Sequence, residues 1–128
     1  LQKLMDEYCG GVTVGYMTND KLLNICLKKL KTMEEDLEKL AAKDLHELLR
    51  AWELKHRHRT SECVTQHTLF RKETRWPGYY YRGDHMKLDD DNWHVLTVSR
   101  RDPETGEYIM EKAPLYHLVD EKEEQEAA

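Results

Sequence analysis

Residues 19–41 read NDKLLNICLKKLKTMEEDLEKLA. Leu23, Cys26, Leu30, Met33, Leu37 and Leu40 step by 3, 4, 3, 4, 3 along this stretch, while Lys28, Lys29, Lys31, Glu34, Glu35 and Glu38 fall mostly off that seam. Apolar residues at this spacing line one side of a helix. The spacing predicts a helix over 19–41, with Thr18 as its N-cap and Asp20 favourable in its first turn.

A helix with one apolar face needs something to pack against, and both flanks supply candidates. Downstream, Asp44 can cap a second helix, with Glu47 completing a capping box. Leu45, Leu48, Leu49 and Trp52 are its expected apolar stripe. Residues 53–75 contain neither Gly nor Pro, so this helix is expected to continue through them, with a break near Thr60 and Ser61. Upstream, Leu1, Leu4, Met5 and Tyr8 follow the helical pattern i, i+3, i+4, i+7. Gly10 and Gly11 end that segment, and Gly15 is expected to keep residues 12–14 out of a helix. Two long helices joined by a short turn read as an antiparallel hairpin, and the first helix makes the fold mainly α, a small helical bundle.

Beyond Pro77 and Gly78 the pattern changes to strand. Residues 93–100 (WHVLTVSR) are rich in β-branched and aromatic types, residues 102–106 (DPETG) carry turn chemistry, and residues 107–111 (EYIME) alternate before Pro114. A C-terminal β-hairpin is expected at about 93–112.

Composition sets the outer limits. The chain has 128 residues, 39% hydrophobic and 35% charged, with a formal net charge of −5. That allows one domain with a modest core. No run of 18 apolar residues predicts a membrane span, and no basic-then-apolar leader reads as a signal peptide. The chain opens on Leu1 within a helical pattern, so it is expected to be a piece of a longer protein. The domain is expected to occupy residues 1–119. Residues 120–128 carry five acids and one base and are expected to form a disordered acidic tail. By contrast, residues 50–82 carry eight bases against three acids, a basic middle in an acidic chain.

Cys9, Cys26 and Cys63 are three widely spaced cysteines without a CxxC, which argues against a disulfide framework and fits a reducing cytoplasm. His56, His58, Cys63 and His67 fall within 12 residues. On a helix, however, His56 and His58 point about 200° apart. Cys63 and His67 share a face but do not make a closed tetrahedral site, so no metal centre is expected.

No GxGxxG, P-loop, GxSxG or HExxH is present. The densest chemistry lies at residues 74–85 (TRWPGYYYRGDH), where Arg75 and Arg82 are interleaved with Trp76, Tyr79, Tyr80 and Tyr81. Such a stretch can stack nucleic-acid bases, anchor an interface with another domain, or pack over its own helices with Arg82 paired to Asp84 or to Asp89, Asp90 and Asp91. The four aromatics exceed what two helices can hide, which favours a partner.

These pieces together resemble the C-terminal helical domain of the fumarate reductase and succinate dehydrogenase flavoprotein family. The residues that carry the resemblance are MDEYCG at 5–10, the heptad helix, Thr74-Arg75, Arg82-Gly83-Asp84 and DDNW at 90–93. Typical members place four residues between the two arginines, and this chain places six. That longer string, with HTLFR at 67–71 before it and EKAP at 111–114 after it, is similar to the adenylylsulfate reductase alpha-subunit branch of the family.

The resemblance implies a cytoplasmic parent enzyme that interconverts adenosine 5′-phosphosulfate with sulfite and AMP. FAD would sit in its alpha subunit and iron–sulfur clusters in a beta subunit. The partners so implied are the flavin domain of the same chain and the iron–sulfur subunit, with no nucleic acid and no membrane span. The family's flavin fingerprint and catalytic residues match nothing here. No catalytic, cofactor-binding or metal-ligating residue is therefore assigned, and the chain alone is expected to be inactive. Arg75, Trp76, Arg82, Asp84 and Trp93 are carried over as docking positions. A fumarate or succinate flavoprotein and a stand-alone helical interaction module are the alternatives.

Overall fold

The computed structural model describes residues 1–116; the expected acidic tail at 120–128 lies outside them. In chain order the elements are α1 (Gln2–Tyr8), a single 3-10 turn (Val12–Val14), β1 (Met17–Thr18), α2 (Asp20–Leu37), α3 (Leu45–Phe70), β2 (Tyr81–Arg82), α4 (Asp90–Trp93), β3 (Leu96–Arg101) and β4 (Tyr108–Ala113). The expected mainly α bundle with a C-terminal hairpin is what forms, with differences at the element ends.

α2 is capped one residue later than the sequence suggests. Asn19 Oδ1 accepts from the Leu22 amide at 2.9 Å, because the Thr18 hydroxyl donates instead to the Tyr8 carbonyl at 2.7 Å. The helix stops at Leu37 rather than residue 41. Leu40 has nothing to pack on and stays exposed. Leu23, Cys26 and Leu30 of the predicted seam are fully buried and form the core with Leu4 and Cys9; Leu1, Met5, Tyr8, Met33 and Leu69 fringe it.

α3 begins as expected, with Asp44 Oδ1 accepting from the Glu47 amide at 2.8 Å. Glu47 reaches back one residue further than a capping box requires, to the Lys43 amide at 3.1 Å. No break occurs at Thr60 and Ser61. Their hydroxyls fold back onto the His56 and Arg57 carbonyls at 3.0 and 2.8 Å, which leaves the helix intact.

The face α3 turns to α2 differs from the predicted one. Its buried residues are His58, Ser61 and Thr65, and half-buried Glu47, Ala51 and Leu54 extend the same 4, 3, 4, 3, 4 spacing. Leu45, Leu48, Leu49 and Trp52 are exposed. His58 holds its place by a 2.8 Å hydrogen bond between Nε2 and the Leu30 carbonyl. The Thr65 hydroxyl donates to the Ser61 carbonyl at 2.7 Å. Small and polar side chains let the two helices approach where leucines would hold them apart.

Residues 12–14 form a 3-10 turn where a non-helical segment was expected, bracketed by Gly11 and by Gly15 at φ 64°. The turn is also tied to α1 by Thr13, whose amide donates to Asp6 at 3.2 Å. β1 and β2, absent from the sequence reading, pair in parallel as Met17↔Tyr81 and Thr18↔Arg82. The hairpin pairs antiparallel from Leu96↔Ala113 to Arg101↔Tyr108. It starts at Leu96 rather than Trp93, because Trp93 closes α4 and is buried. Its inner face meets α3 where His67 lies 3.2 Å from the Thr97 hydroxyl and 2.8 Å from the Ser99 hydroxyl.

Candidate functional site

Two helix ends meet at one guanidinium. α3 runs out of backbone donors at its C-terminus, leaving carbonyls unsatisfied, and α2 begins with exposed amides a few ångströms away. Arg82, carried in by β2, is buried there. Its Nη1 donates to the carbonyls of Thr68 and Arg71, the latter at 2.6 Å. Its Nη2 pairs with Asp20, and its Nε reaches Asp84 at 3.3 Å. Asp84 in turn accepts from the Asp20 amide at 2.7 Å. A cation thus closes the negative end of α3, and an anion the positive end of α2. Lys72 adds a 2.7 Å contact to Asp20. Burial pushes the Asp84 carboxyl up, but the Asp20 amide and the Arg82 guanidinium together bring it below the usual aspartate range.

The second node is Glu73, whose side chain is wholly buried. Arg71 reaches its Oε1 at 2.5 Å and Arg75 at 2.7 Å, while the Asp89 amide donates to Oε2 at 3.1 Å. Burial raises the Glu73 carboxyl; the hydrogen bonds from Arg75, Asp89 and Arg71 outweigh it, so its pKa lies below the ordinary glutamate value. The pairing with Glu73 and then with Asp90, at 2.8 Å, raises Arg75 in turn against the opposing effect of burial. Arg71 also donates to the carbonyls of Trp93 and Val95, both at 2.9 Å, which fixes α4 and the start of the hairpin. Trp93 is wedged edge-on to Phe70, with Lys112 Nζ 3.6 Å from its ring centre. Thr74, between Glu73 and Arg75, accepts from the Arg82 amide at 3.0 Å and donates to the His85 carbonyl at 2.8 Å.

Four of the five residues singled out from sequence are therefore brought together: Arg82 with Asp84, Arg75 beside them through Glu73, and Trp93 through Arg71. Trp76 stands apart at 69% exposure, and Tyr79 is 80% exposed. Tyr80 turns inward and donates to the Cys9 carbonyl at 2.6 Å, and burial pushes its phenol up. Gly10 makes room for it, since a Cβ there would lie 2.6 Å from the Tyr80 ring. Trp76 and Tyr80 overhang a cavity of about 300 Å³ whose other walls include His67, Thr68, Arg71 and Arg75.

The sequence reading missed Asp20, which it took as a first-turn acid, and it missed Glu73 and Arg71. Glu73 carried one usable signal, an acid two residues from an arginine on either side just after a helix end. As for the clustered histidines, His56 packs edge-on to Trp52, while His58 and His67 serve the helix and hairpin contacts already described. Among the described residues, Asp20, Asp84 and His85 have metal-like spacing, but Arg82 and Lys72 already occupy the carboxylates.

The helical hairpin with its C-terminal β-hairpin is a fold that solved flavoprotein structures share. The chain matches the family model described as fumarate reductase flavoprotein C-term over residues 1–124, and it belongs to that family. Within it, the chain is 45% identical over 119 residues to the adenylylsulfate reductase subunit alpha of Megalodesulfovibrio gigas, covering 93% of this chain and 18% of that protein. The solved adenylylsulfate reductase of Archaeoglobus fulgidus superposes with a TM-score of 0.89 at 52% identity, over 93% of this chain and 18% of that one. An E. coli quinol fumarate reductase shares the fold, with a TM-score of 0.75 at 24% identity over 91% of this chain and 20% of its own. The chain thus spans less than a fifth of the adenylylsulfate reductase relatives it matches.

The family implies a flavin in the parent protein. The described residues do not fit one. Their parallel pairing is two residues long, and they contain no strand–glycine turn–helix unit to cradle a pyrophosphate. The charged members of the two nodes, Arg82, Asp84, Arg71, Glu73 and Arg75, are committed to one another and to backbone groups, and no chemical step is assigned to them. Among the described residues, no helix is long and apolar enough to cross a membrane.

Proposed function

We propose that this chain is the C-terminal helical domain, residues 1–119 with an acidic tail at 120–128, of the alpha subunit of a cytoplasmic adenylylsulfate reductase. The observation that carries this reading is 45% identity across 93% of the chain to such a subunit. The parent would reduce adenosine 5′-phosphosulfate to sulfite and AMP, using FAD in the remainder of the alpha chain and iron–sulfur clusters in a beta subunit. The domain itself plays a structural part and presents a rigid surface to the flavin-binding region. Arg82, Asp84, Arg75 and Trp93 stiffen the segment from residue 71 to residue 93, and Trp76 projects from it as the anchor. An exposed tryptophan beside an apolar cavity on a clamped loop has the make-up of an interface hot spot.

The test is the absorbance spectrum of the purified chain after incubation with FAD and gel filtration. A colourless protein is expected. A retained flavin spectrum would show that the chain holds the cofactor by itself and would overturn the assignment.

A further inference from the structure

Three sulfur atoms converge on one hydroxyl in the core. Cys9 Sγ and Cys26 Sγ each lie 3.8 Å from Thr65 Oγ1, and Met5 Sδ lies 3.9 Å from it. Cys26 Sγ and Met5 Sδ are themselves 3.9 Å apart. Thr65 and Cys26 are fully buried, Cys9 is nearly so, and Met5 is half-buried. Met5 and Cys9 stand one turn apart at the end of α1, Cys26 comes from α2 and Thr65 from α3. The cluster thus sits where the three helices meet, away from the two charged nodes.

The surroundings decide what these sulfurs can do. Burial pushes both thiols up, and the hydroxyls of Thr65 and, for Cys9, Tyr80 pull the other way. As protonated thiols they are poor nucleophiles. A coordinated metal removes a thiol proton outright, and the same hydroxyls are then in place to donate to the thiolates.

The donor set selects the ion. Zinc sites are built from Cys, His and carboxylates, whereas a thioether beside two thiols is a soft set that favours Cu(I). Three sulfurs bound to one ion at about 2.3 Å stand about 4.0 Å apart, and the 3.9 Å between Cys26 and Met5 already meets that spacing. A cavity of about 480 Å³, lined by Leu1, Gln2, Met5, Arg57 and Ser61 among others, opens to solvent and reaches Met5. An ion therefore has a way in at the thioether.

We propose that Met5, Cys9 and Cys26 form a binding site for Cu(I), entered at Met5. Binding replaces the two S–H bonds with two copper–sulfur bonds and releases both protons to water. The thioether joins as a neutral third ligand, and copper stays Cu(I), so no electron changes hands. One negative charge remains in the core, faced by the Thr65 and Tyr80 hydroxyls. This inference goes beyond the docking role given to the domain and does not depend on it.

The full-length protein containing this chain, reduced and kept free of oxygen, is titrated with Cu(I) in competition with bathocuproine disulfonate. The expected result is Cu(I) held at one site per chain. Its affinity should fall at least about 100-fold in Cys9→Ser or Cys26→Ser, and about tenfold in Met5→Leu. Cys63→Ser should leave it unchanged. X-ray absorption should find three sulfur neighbours at about 2.3 Å, and two in Met5→Leu. That variant conserves core volume and keeps the test decisive if a serine variant fails to fold. Three results overturn the inference: no Cu(I) retained against the chelator, an affinity and a three-sulfur shell that survive Met5→Leu, or an affinity lost with Cys63→Ser.

Discussion

Arg82 concentrates the cost of this fold in one side chain. A buried guanidinium is tolerable because two carboxylates and two helix-end carbonyls receive it; if it goes, the carbonyls of Thr68 and Arg71 lose their side-chain donor, and Asp20 and Asp84 keep only Lys72 and the Asp20 amide. Removing one partner of a buried ion pair typically costs about 3–5 kcal/mol. Arg82→Ala should lose that much in urea denaturation, and Arg82→Lys about 2 kcal/mol, since an ammonium cannot fork between α3 and Asp20. A loss below about 1 kcal/mol for Arg82→Ala would mean that the clamp contributes no more than a surface pair. The carboxylates add a pH signature. Glu73 and Asp84 titrate lower in the folded protein than in the unfolded chain. Their stabilisation is therefore complete above the ordinary carboxylate range and is lost as pH falls through their depressed folded-state values. Urea midpoints followed from about pH 7 to about pH 2 should fall more gently for Glu73→Gln than for the parent chain; parallel curves would mean that Glu73 contributes nothing to the acid response.

At the scale of elements, the informative contrast is between two sets of leucines. Leu30 is fully buried against α3, so Leu30→Ala should cost about 2–5 kcal/mol. Leu45→Ala, on the far face, should change the stability of this chain by less than about 0.5 kcal/mol. Equal losses on thermal or urea unfolding would put the seam on the wrong side of α3. Asp44→Ala, which removes the cap on the Glu47 amide, should cost about 1 kcal/mol. The same contrast shows what was legible in the sequence. α2 was legible because its own buried residues, Leu23, Cys26 and Leu30, are apolar and its periodicity is that of its burial. The existence of α3 was legible from its cap and its lack of Gly and Pro. Its orientation was not, because its buried face is His58, Ser61 and Thr65 while its leucines point outward, and hydrophobicity ranks these two faces in the wrong order. The β1–β2 pairing joins residues 64 apart through two backbone hydrogen bonds, a contact without periodicity to betray it. Of the candidate site, Arg82 with Asp84 was readable from proximity in sequence. Asp20 was not, because its place in the clamp depends on how the two helices end.

At the scale of the molecule, the described residues bury few large apolar side chains and leave many exposed. The core of Leu4, Cys9, Leu23, Cys26 and Leu30 is small, whereas Trp52, Trp76, Tyr79, Leu45 and Leu49 are each more than half exposed. A domain with this balance is stabilised by what it packs against, which accords with a chain spanning less than a fifth of its relatives. The flavin-binding part is the expected neighbour, and Trp76→Ala in the full-length flavoprotein should lower flavin retention after gel filtration while leaving the helical content of the domain unchanged. Circular dichroism and the ratio of flavin to protein absorbance check the two halves of that statement. Everything proposed for the parent turns on its chemistry, which can be read by expressing the full-length flavoprotein containing this chain together with its partner subunit. AMP-dependent sulfite oxidation is then assayed beside fumarate reduction. The expected outcome is formation of adenosine 5′-phosphosulfate from sulfite and AMP with no fumarate turnover; fumarate reduction without any sulfite oxidation would contradict it.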